Sequence, residues 1–412
     1  MIKSACFSQK NNNRDILLHA TSIVFLMLFA FPLYTFKFAN ILFILFSFLT
    51  LILLLKKPIP IGKLILNNLV FVLPFIPYLF EFIFSGFQSI PRFEFEKKLF
   101  FFTAFFFIPV FIKITHFRYY KTALLIFSIT LSILCIYAFT IITVRGLPFF
   151  SETYQNGSFL LRHHFEKLTG IHSTYYACFA LFATFILFKQ DTFKNRTLII
   201  IFRCVSVLLL LSALYLAVRI AFITVFFFFL LAIFTQKMAF FRKLILGAVL
   251  IVFMTAVSFI VPSLNSRLKE LVWYEKETIN HNNTISQRTV IMQCSYDVFK
   301  THWLTGTGSG NFQQHLNNCY NSKSWNQGAS LNFNPHNQYL SIAVNYGIFA
   351  LLLFLACLYF IFRKLIKIPE ASCFILIIIL FFLTESLLER SMGIYFFGLF
   401  SILMYNLRSE LS

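Results

Sequence analysis

Asn334-Pro335-His336-Asn337-Gln338-Tyr339-Leu340 marks the point where a long polar stretch runs into an apolar segment that continues to Phe362. Pro335 biases Asn334 away from helical backbone, and the polar residues after it suit a helix start, so a helix is predicted from near Gln338. Its apolar length is enough to cross a bilayer core. This border assigns the residues after it to membrane and those before it to water. It leaves a titratable group, His336, at the interface, where both water-soluble and lipid-anchored molecules come within reach.

Working outward, the same length test finds further apolar windows at Ile16 to Tyr34, Phe38 to Leu55, Leu64 to Phe84, Leu99 to Ile112, Thr122 to Val144 and Thr174 to Phe188. Others run from Thr197 to Leu216, Ile220 to Phe234, Leu244 to Val261, Ala371 to Leu388 and Met392 to Leu407. With Gln338 to Phe362 they make about twelve spans. The expected fold is therefore an all-α polytopic membrane protein. The composition agrees: 59% of the 412 residues are hydrophobic, 60 are Phe and only 12% are charged, which is too apolar for a soluble protein of this length. The Phe excess carries no functional reading.

A net charge of +20 would suggest nucleic acid in a soluble domain, but here the cations sit in turns between apolar runs. They alternate from side to side. Lys56, Lys57 and Lys63, then Lys113, Arg118 and Lys121, then Lys189, Lys194, Arg196 and Arg203, then Lys237, Arg242 and Lys243, then Arg363, Lys364 and Lys367 all fall on one side. The positive-inside rule makes that side cytoplasmic, with both termini, and argues against a nucleic-acid partner. The first apolar run lacks a small-residue cleavage site and reads as a retained span. Residues 1–261 are expected to form an amino-terminal bundle, 262–337 a subdomain on the outer face, and 338–412 the carboxy-terminal spans. No repeat, heptad or low-complexity linker is visible.

Candidate chemistry concentrates in and around the outer segment. A neutral His336 at a helix start can take a proton from a hydroxyl near neutral pH, while the bland alternative is that Asn334, His336, Asn337 and Gln338 only cap and hydrate that start. Arg288 opens a stretch whose apolar residues at 290, 291, 294, 298 and 299 follow helical spacing, so it either binds phosphate or is a solvated first-turn charge. Arg219 lies between two apolar runs at the outer face; it is an interfacial anchor, or a guanidinium donating paired bonds to phosphate. Gly306-Thr307-Gly308-Ser309-Gly310-Asn311-Phe312 is a turn, and a weak candidate phosphate loop because no strand precedes it and no Lys-Ser pair follows. Glu94 and Glu96 have the spacing of a metal-binding pair, but Lys97 and Lys98 follow to neutralise them, and Glu275 and Glu277 are similar, so no metal is assigned. Cys294 and Cys319 share the outer segment and form a candidate disulfide, or else two unpaired small hydrophobes.

Taken in order, Arg219, the Arg288 helix, the Gly-x-Gly-x-Gly-Asn-Phe turn, Pro335-His336-Asn337-Gln338-Tyr339-Leu340 and Asn345-Tyr346-Gly347-Ile348-Phe349 resemble the O-antigen ligase and polymerase superfamily of bacterial inner membranes, over about Val207 to Phe362. That resemblance implies a C-type glycosyltransferase-like helical fold. It also implies glycan transfer from an undecaprenyl pyrophosphate carrier to an acceptor hydroxyl on the periplasmic side, without metal, nucleotide or other cofactor. In the roles it implies, Arg219 and Arg288 bind the pyrophosphate, His336 deprotonates or orients the acceptor, and His172, Asn337 and Tyr339 contact substrate. Val218 stands where relatives commonly have Ser, which leaves the register at Arg219 open. Glu385 and Arg390, on and after the eleventh window, are further candidates, with a packing or interfacial ion pair expected ahead of chemistry. The acceptor expected first is lipid A-core. A growing glycan (polymerase), a protein hydroxyl, and a lipid-linked glycan transporter are the alternatives, the last disfavoured because charges lie near span ends and no repeated halves are seen.

Overall fold

A computed structural model describes residues 2–84, 92–116, 119–146, 154–189, 195–216, 219–235, 238–260 and 284–411. Val218, Glu275, Glu277 and the side chain of Glu94 lie outside the described residues, as does the start of the outer segment. Among the described residues all regular structure is helical. The helices are α1 (Ile2–Met27), α2 (Phe36–Lys56), α3 (Gly62–Asn68), α4 (Ile76–Phe84), α5 (Arg92–Thr115), α6 (Tyr120–Val144), α7 (Tyr154–Thr169), α8 (Ser173–Phe188) and α9 (Arg196–Tyr215). They continue as α10 (Arg219–Thr235), α11 (Phe240–Ile260), α12 (Thr284–Thr301), α13 (Phe312–Ser322), α14 (Asn326–Ser330), α15 (Gln338–Leu365), α16 (Pro369–Phe382) and α17 (Ser391–Leu411).

Every apolar window in the sequence falls on one or more of these helices, but the expected twelve crossings exceed what they support singly. Six described helices are long and apolar enough to cross a membrane, or up to eight if two bent pairs each count as one span. The pairs are 62–71 with 73–83, bent by 55°, and 161–169 with 173–188, bent by 74°. Each bend has a local cause: Pro74 lies in a 3-10 segment in the first, and Gly170 takes φ +68° in the second. The eleventh window also ran too far. α16 stops at Phe382, and residues 383–390 form a connection that is buried from Glu385 to Leu388 and ends in a 3-10 turn, so Glu385 is not on a span. Hydropathy overran there because Leu383, Leu387 and Leu388 are apolar, whereas tertiary hydrogen bonds, described below, decide the backbone.

Phenylalanine builds the bundle core. Phe25, Phe29, Phe46, Phe101, Phe111 and Phe127 are fully buried, and rings meet edge-on or tilted, as at Phe127 and Phe400, 4.8 Å apart. Many Ile and Leu residues of α2, α9 and α11 instead face outward, as expected of surfaces that meet lipid. The segment from α12 to the start of α15 has a small core of its own, from Val290, Ile291, Val298, Leu316, Tyr320 and Trp325. Cys294 and Cys319 are joined there as a disulfide, with Cα atoms 5.6 Å apart, tying α12 to α13.

The two ends of the bundle differ chemically. At one end Lys57, just after α2, donates to the carbonyl of Ile114 in the last turn of α5, Lys189 pairs with Glu370 at 3.0 Å, and Lys364 sits 3.5 Å over the Tyr405 ring. At the other end lie the starts of α2, α5, α8, α15 and α17 together with the α12–α14 segment.

Candidate active site

His336 is held in an unusual backbone conformation. Its φ is +45°, a left-handed value rare for a residue with a Cβ, and its amide N–H donates to Asn334 Oδ1 at 3.0 Å, an Asx turn that closes the loop ahead of α15. Asn337 then caps α15, accepting from Leu340 N at 2.9 Å, and donates its amide to the carbonyl of Leu383 at 3.0 Å. Both halves of that amide are thus engaged within the protein, at the residue next to His336. Tyr339 is set about 100° around the helix from Gln338. Its ring packs on Phe354 and Phe382, and it is not among the residues lining the cavity described below.

The partner of His336 is Glu385. His336 Nδ1 lies 3.3 Å from Glu385 Oε1, with the imidazole 26% exposed and the carboxylate only 7%. Burial pushes the Glu385 carboxyl up, but the hydrogen bond and charge of His336, together with the charges of His172 and Arg288, more than offset it and hold its pKa below the ordinary value. An ionised carboxylate only accepts, so Nδ1 carries the proton of this bond and Nε2 of a neutral ring keeps its lone pair. Glu385 therefore pairs with His336, not with Arg390 as expected from the sequence.

The connection carrying Glu385 is clamped from four helices. Leu388 N donates to Gln338 Oε1 at 2.7 Å, and Tyr175 donates its hydroxyl to the carbonyl of Ser386 at 3.1 Å. Lys97 donates to the carbonyl of Glu389 at 3.2 Å, and Lys98 to the carbonyl of Leu388 and to Glu389 Oε2, the latter at 3.2 Å. Gly393 allows the start of α17 to press against Leu387, whose carbonyl would lie 2.0 Å from a Cβ there. Lys97 and Lys98, read from the sequence as neutralising Glu94 and Glu96, are buried, and the only signal of that in the sequence is that two lysines open an apolar helix.

The glycine-rich turn is spent on structure. Thr307 N and Gly308 N donate to the carbonyls of Val344 and Asn345, both at 2.9 Å, and Ile348 N donates to the carbonyl of Trp303 at 2.8 Å. This docking fills a break in α15 at Gly347, where φ is +78°. The next amides, Ser309 N and Gly310 N, donate to the carboxylate of Glu81 on α4 at 2.9 and 3.3 Å. A phosphate would find those amides already occupied by a carboxylate.

Arg288 is exposed on α12, close enough for its charge to favour ionised Glu385. His172 caps α8, its Nδ1 accepting from Thr174 N at 3.4 Å, while Glu166 accepts from Ser173 N at 2.8 Å and lies 3.7 Å from His172 Nε2. Arg219 is half-buried in the first turn of α10. The antiparallel pairing of α8 with α9, through Tyr176 and Ser212 at 2.6 Å, puts that turn at the same end of the bundle as His172. The structure thus gathers His336, Glu385, Arg288 and His172 into one electrostatic neighbourhood, with Arg219 at the same end.

A cavity of about 920 Å³ opens beside them. His172, Tyr175, Lys97, Lys98 and Arg390 line it, and Asn334 and Gln338 bring its wall to both sides of His336. An imidazole oriented by a carboxylate can remove a proton, and cations on the wall of the adjoining cavity can stabilise developing negative charge; His336, Arg288 and Arg219 are not themselves among its lining residues. Residues 204–355 match the family model of the O-antigen ligase domain. No curated protein matches the chain.

Proposed function

We propose, from the match of residues 204–355 to the O-antigen ligase family model, that the chain is a glycosyltransferase of that superfamily and transfers a glycan from undecaprenyl pyrophosphate to an acceptor hydroxyl of lipid A-core. The reaction takes place at the periplasmic face of the bacterial inner membrane, in a C-type glycosyltransferase-like fold without metal or cofactor. The observation that carries this reading is the His336–Glu385 pair at the cavity edge, at the end of the bundle away from Lys57, Lys189 and Lys364.

In this reaction His336 Nε2 accepts the acceptor hydroxyl proton as the oxygen attacks the anomeric carbon. Glu385 holds the ring in the required tautomer and stabilises the imidazolium that forms. Arg288 and Arg219 offset the charge growing on the departing diphosphate, a role suited to guanidinium because it stays charged and donates bonds in parallel. One displacement inverts the anomeric carbon.

The test is the lipopolysaccharide pattern of a deletion strain complemented with wild type or with His336→Ala at equal membrane abundance. Loss of all O-antigen from the core, with long glycan retained on its carrier, is the expected result for the variant. Core bearing a single repeat would assign a polymerase instead. An unchanged pattern would reject both.

A further inference from the structure

The turn that follows α12 sits deeper than its polar neighbours in the sequence suggest. α15 carries no charge before Arg363 and Lys364 in its last turn, which lie at the end of the bundle marked by Lys57 and Lys189. Counted back from Arg363 at about 1.5 Å per residue, a hydrocarbon core about 30 Å thick runs out near Ala343. Ile348 is therefore about 7 Å inside it. Ile348 N is also the group that donates to the carbonyl of Trp303, at 2.8 Å, so the Trp303–Leu304 tip is carried to the same depth.

The backbone and the side chains both agree with that depth. The break at Gly347 frees Ile348 N and the carbonyls of Val344 and Asn345, which an unbroken helix would pair internally, and unpaired backbone is costly in hydrocarbon. The turn supplies the missing partners through Trp303 O, Thr307 N and Gly308 N. Its apolar side chains point away from the protein: Trp303 is 54% exposed and Leu304 is 45% exposed. They adjoin Phe349, the residue after Ile348, and Phe349 continues into the exposed Leu352, Tyr359 and Phe360 of α15. The tip is thus continuous with a helix face that meets lipid. An indole suits the border of acyl chain and headgroup, being apolar with one polar N–H. Lys300, exposed in the last turn of α12, has a stem long enough to carry its ammonium up to the headgroups. We propose that the Trp303–Leu304 tip is a membrane anchor. It inserts among the acyl chains of the bilayer leaflet at the cavity end and pins the α12–α14 segment at a fixed depth beside the break in α15. The partner is bilayer phospholipid, and the anchor does not depend on the glycan-transfer reading.

The test uses the full-length protein in nanodiscs of phosphatidylcholine brominated on the upper part of the acyl chain. The chain has 3 Trp residues. Trp273→Phe therefore leaves Trp303 and the buried Trp325, and Trp273→Phe with Trp303→Phe leaves Trp325 alone as the reference. Brominated lipid is expected to quench the first protein and to leave the second nearly unchanged, while iodide in the water quenches neither strongly. Adding Leu304→Lys to the first protein is expected to shift its emission to the red and to remove most of the lipid quenching, because a charge is driven out of the acyl region. Unchanged Trp325 emission in the reference protein with Leu304→Lys checks that the segment stays folded. Equal quenching of the first two proteins by brominated lipid, or Trp303 quenched by iodide instead, would overturn the proposal. Trp303 open to iodide in discs holding one chain, but shielded in discs holding two, would assign the tip to a second copy and overturn it as well. Lipid quenching of Trp303 in a protein that transfers no glycan would leave the anchor standing and reject only the reaction.

Discussion

At the scale of single residues, the site turns on a histidine whose proton is placed by a buried carboxylate. His336→Ala is expected to lower transfer by about a hundred-fold or more, the range for losing a general base. Glu385→Gln tests the pairing more finely, because it preserves shape and removes charge. A charge-assisted bond contributes about 1.5–3 kcal/mol, so transfer should fall by about ten- to a hundred-fold with substrate KM little changed. A variant as active as wild type would remove Glu385 from the mechanism. The same pair predicts a pH effect on stability. Since the folded Glu385 pKa lies below its ordinary 4.5, its contribution is complete above that value and is lost as pH falls through the folded one. Thermal unfolding of detergent-solubilised protein should therefore weaken below about pH 4.5 in wild type more than in Glu385→Gln. His336 was legible from sequence because a histidine at the border of a polar loop and an apolar helix is conspicuous. Glu385 was visible only as a charge near a span. Nothing local says that it faces a residue 49 positions earlier.

At the scale of elements, the glycine-rich turn and the break in α15 form one unit. A Cβ on Gly347 would lie 2.2 Å from the carbonyl oxygen of Leu304, and one on Gly306 would lie 2.3 Å from the backbone of Asn345. Gly170 also has positive φ but meets nothing within 4 Å. Gly170→Ala should thus cost only the left-handed penalty of about 1–2 kcal/mol. Gly347→Ala adds a backbone clash and should be the more destabilising by thermal shift; equal shifts would mean that the turn does not dock into the break. The disulfide gives a second test at this scale. Closing a loop with sequence separation 25 contributes about 3 kcal/mol in the chain-entropy account, so Cys294→Ser with Cys319→Ser should lower the Tm and expose α12–α14 to protease first. Periodicity gave the helix carrying Arg288, and cysteine placement raised the bridge as one of two readings. The role of the glycines was not legible, because whether such amides hold phosphate or carboxylate depends on Glu81, more than two hundred residues away.

At the scale of the whole molecule, alternating charge in the sequence becomes two chemically different ends. Lys57, Lys189 and Lys364 mark one end, and the cavity, His336 and the disulfide mark the other. Span counting was the weaker guide, because bent pairs and helices of fewer than eighteen residues blur the length rule, while Lys57, Lys189 and Lys364 still fall at one end. The proposed reaction needs the cavity end to face the periplasm, where an oxidising environment would also close Cys294 to Cys319. Orientation is measurable without any substrate. Cys135, Cys178, Cys357 and Cys373 are buried, so replacing Cys6 and the exposed Cys204 by Ser leaves a quiet background for thiol labelling. Gln327→Cys, exposed on α14, should react with a membrane-impermeant maleimide in cells whose outer membrane alone is permeabilised. Lys367→Cys, exposed between α15 and α16, should react only after the inner membrane is broken. The reverse pattern would place His336 in the cytoplasm, away from the hydroxyl it is proposed to deprotonate, and the reaction would have to be abandoned even if every distance around Glu385 were right.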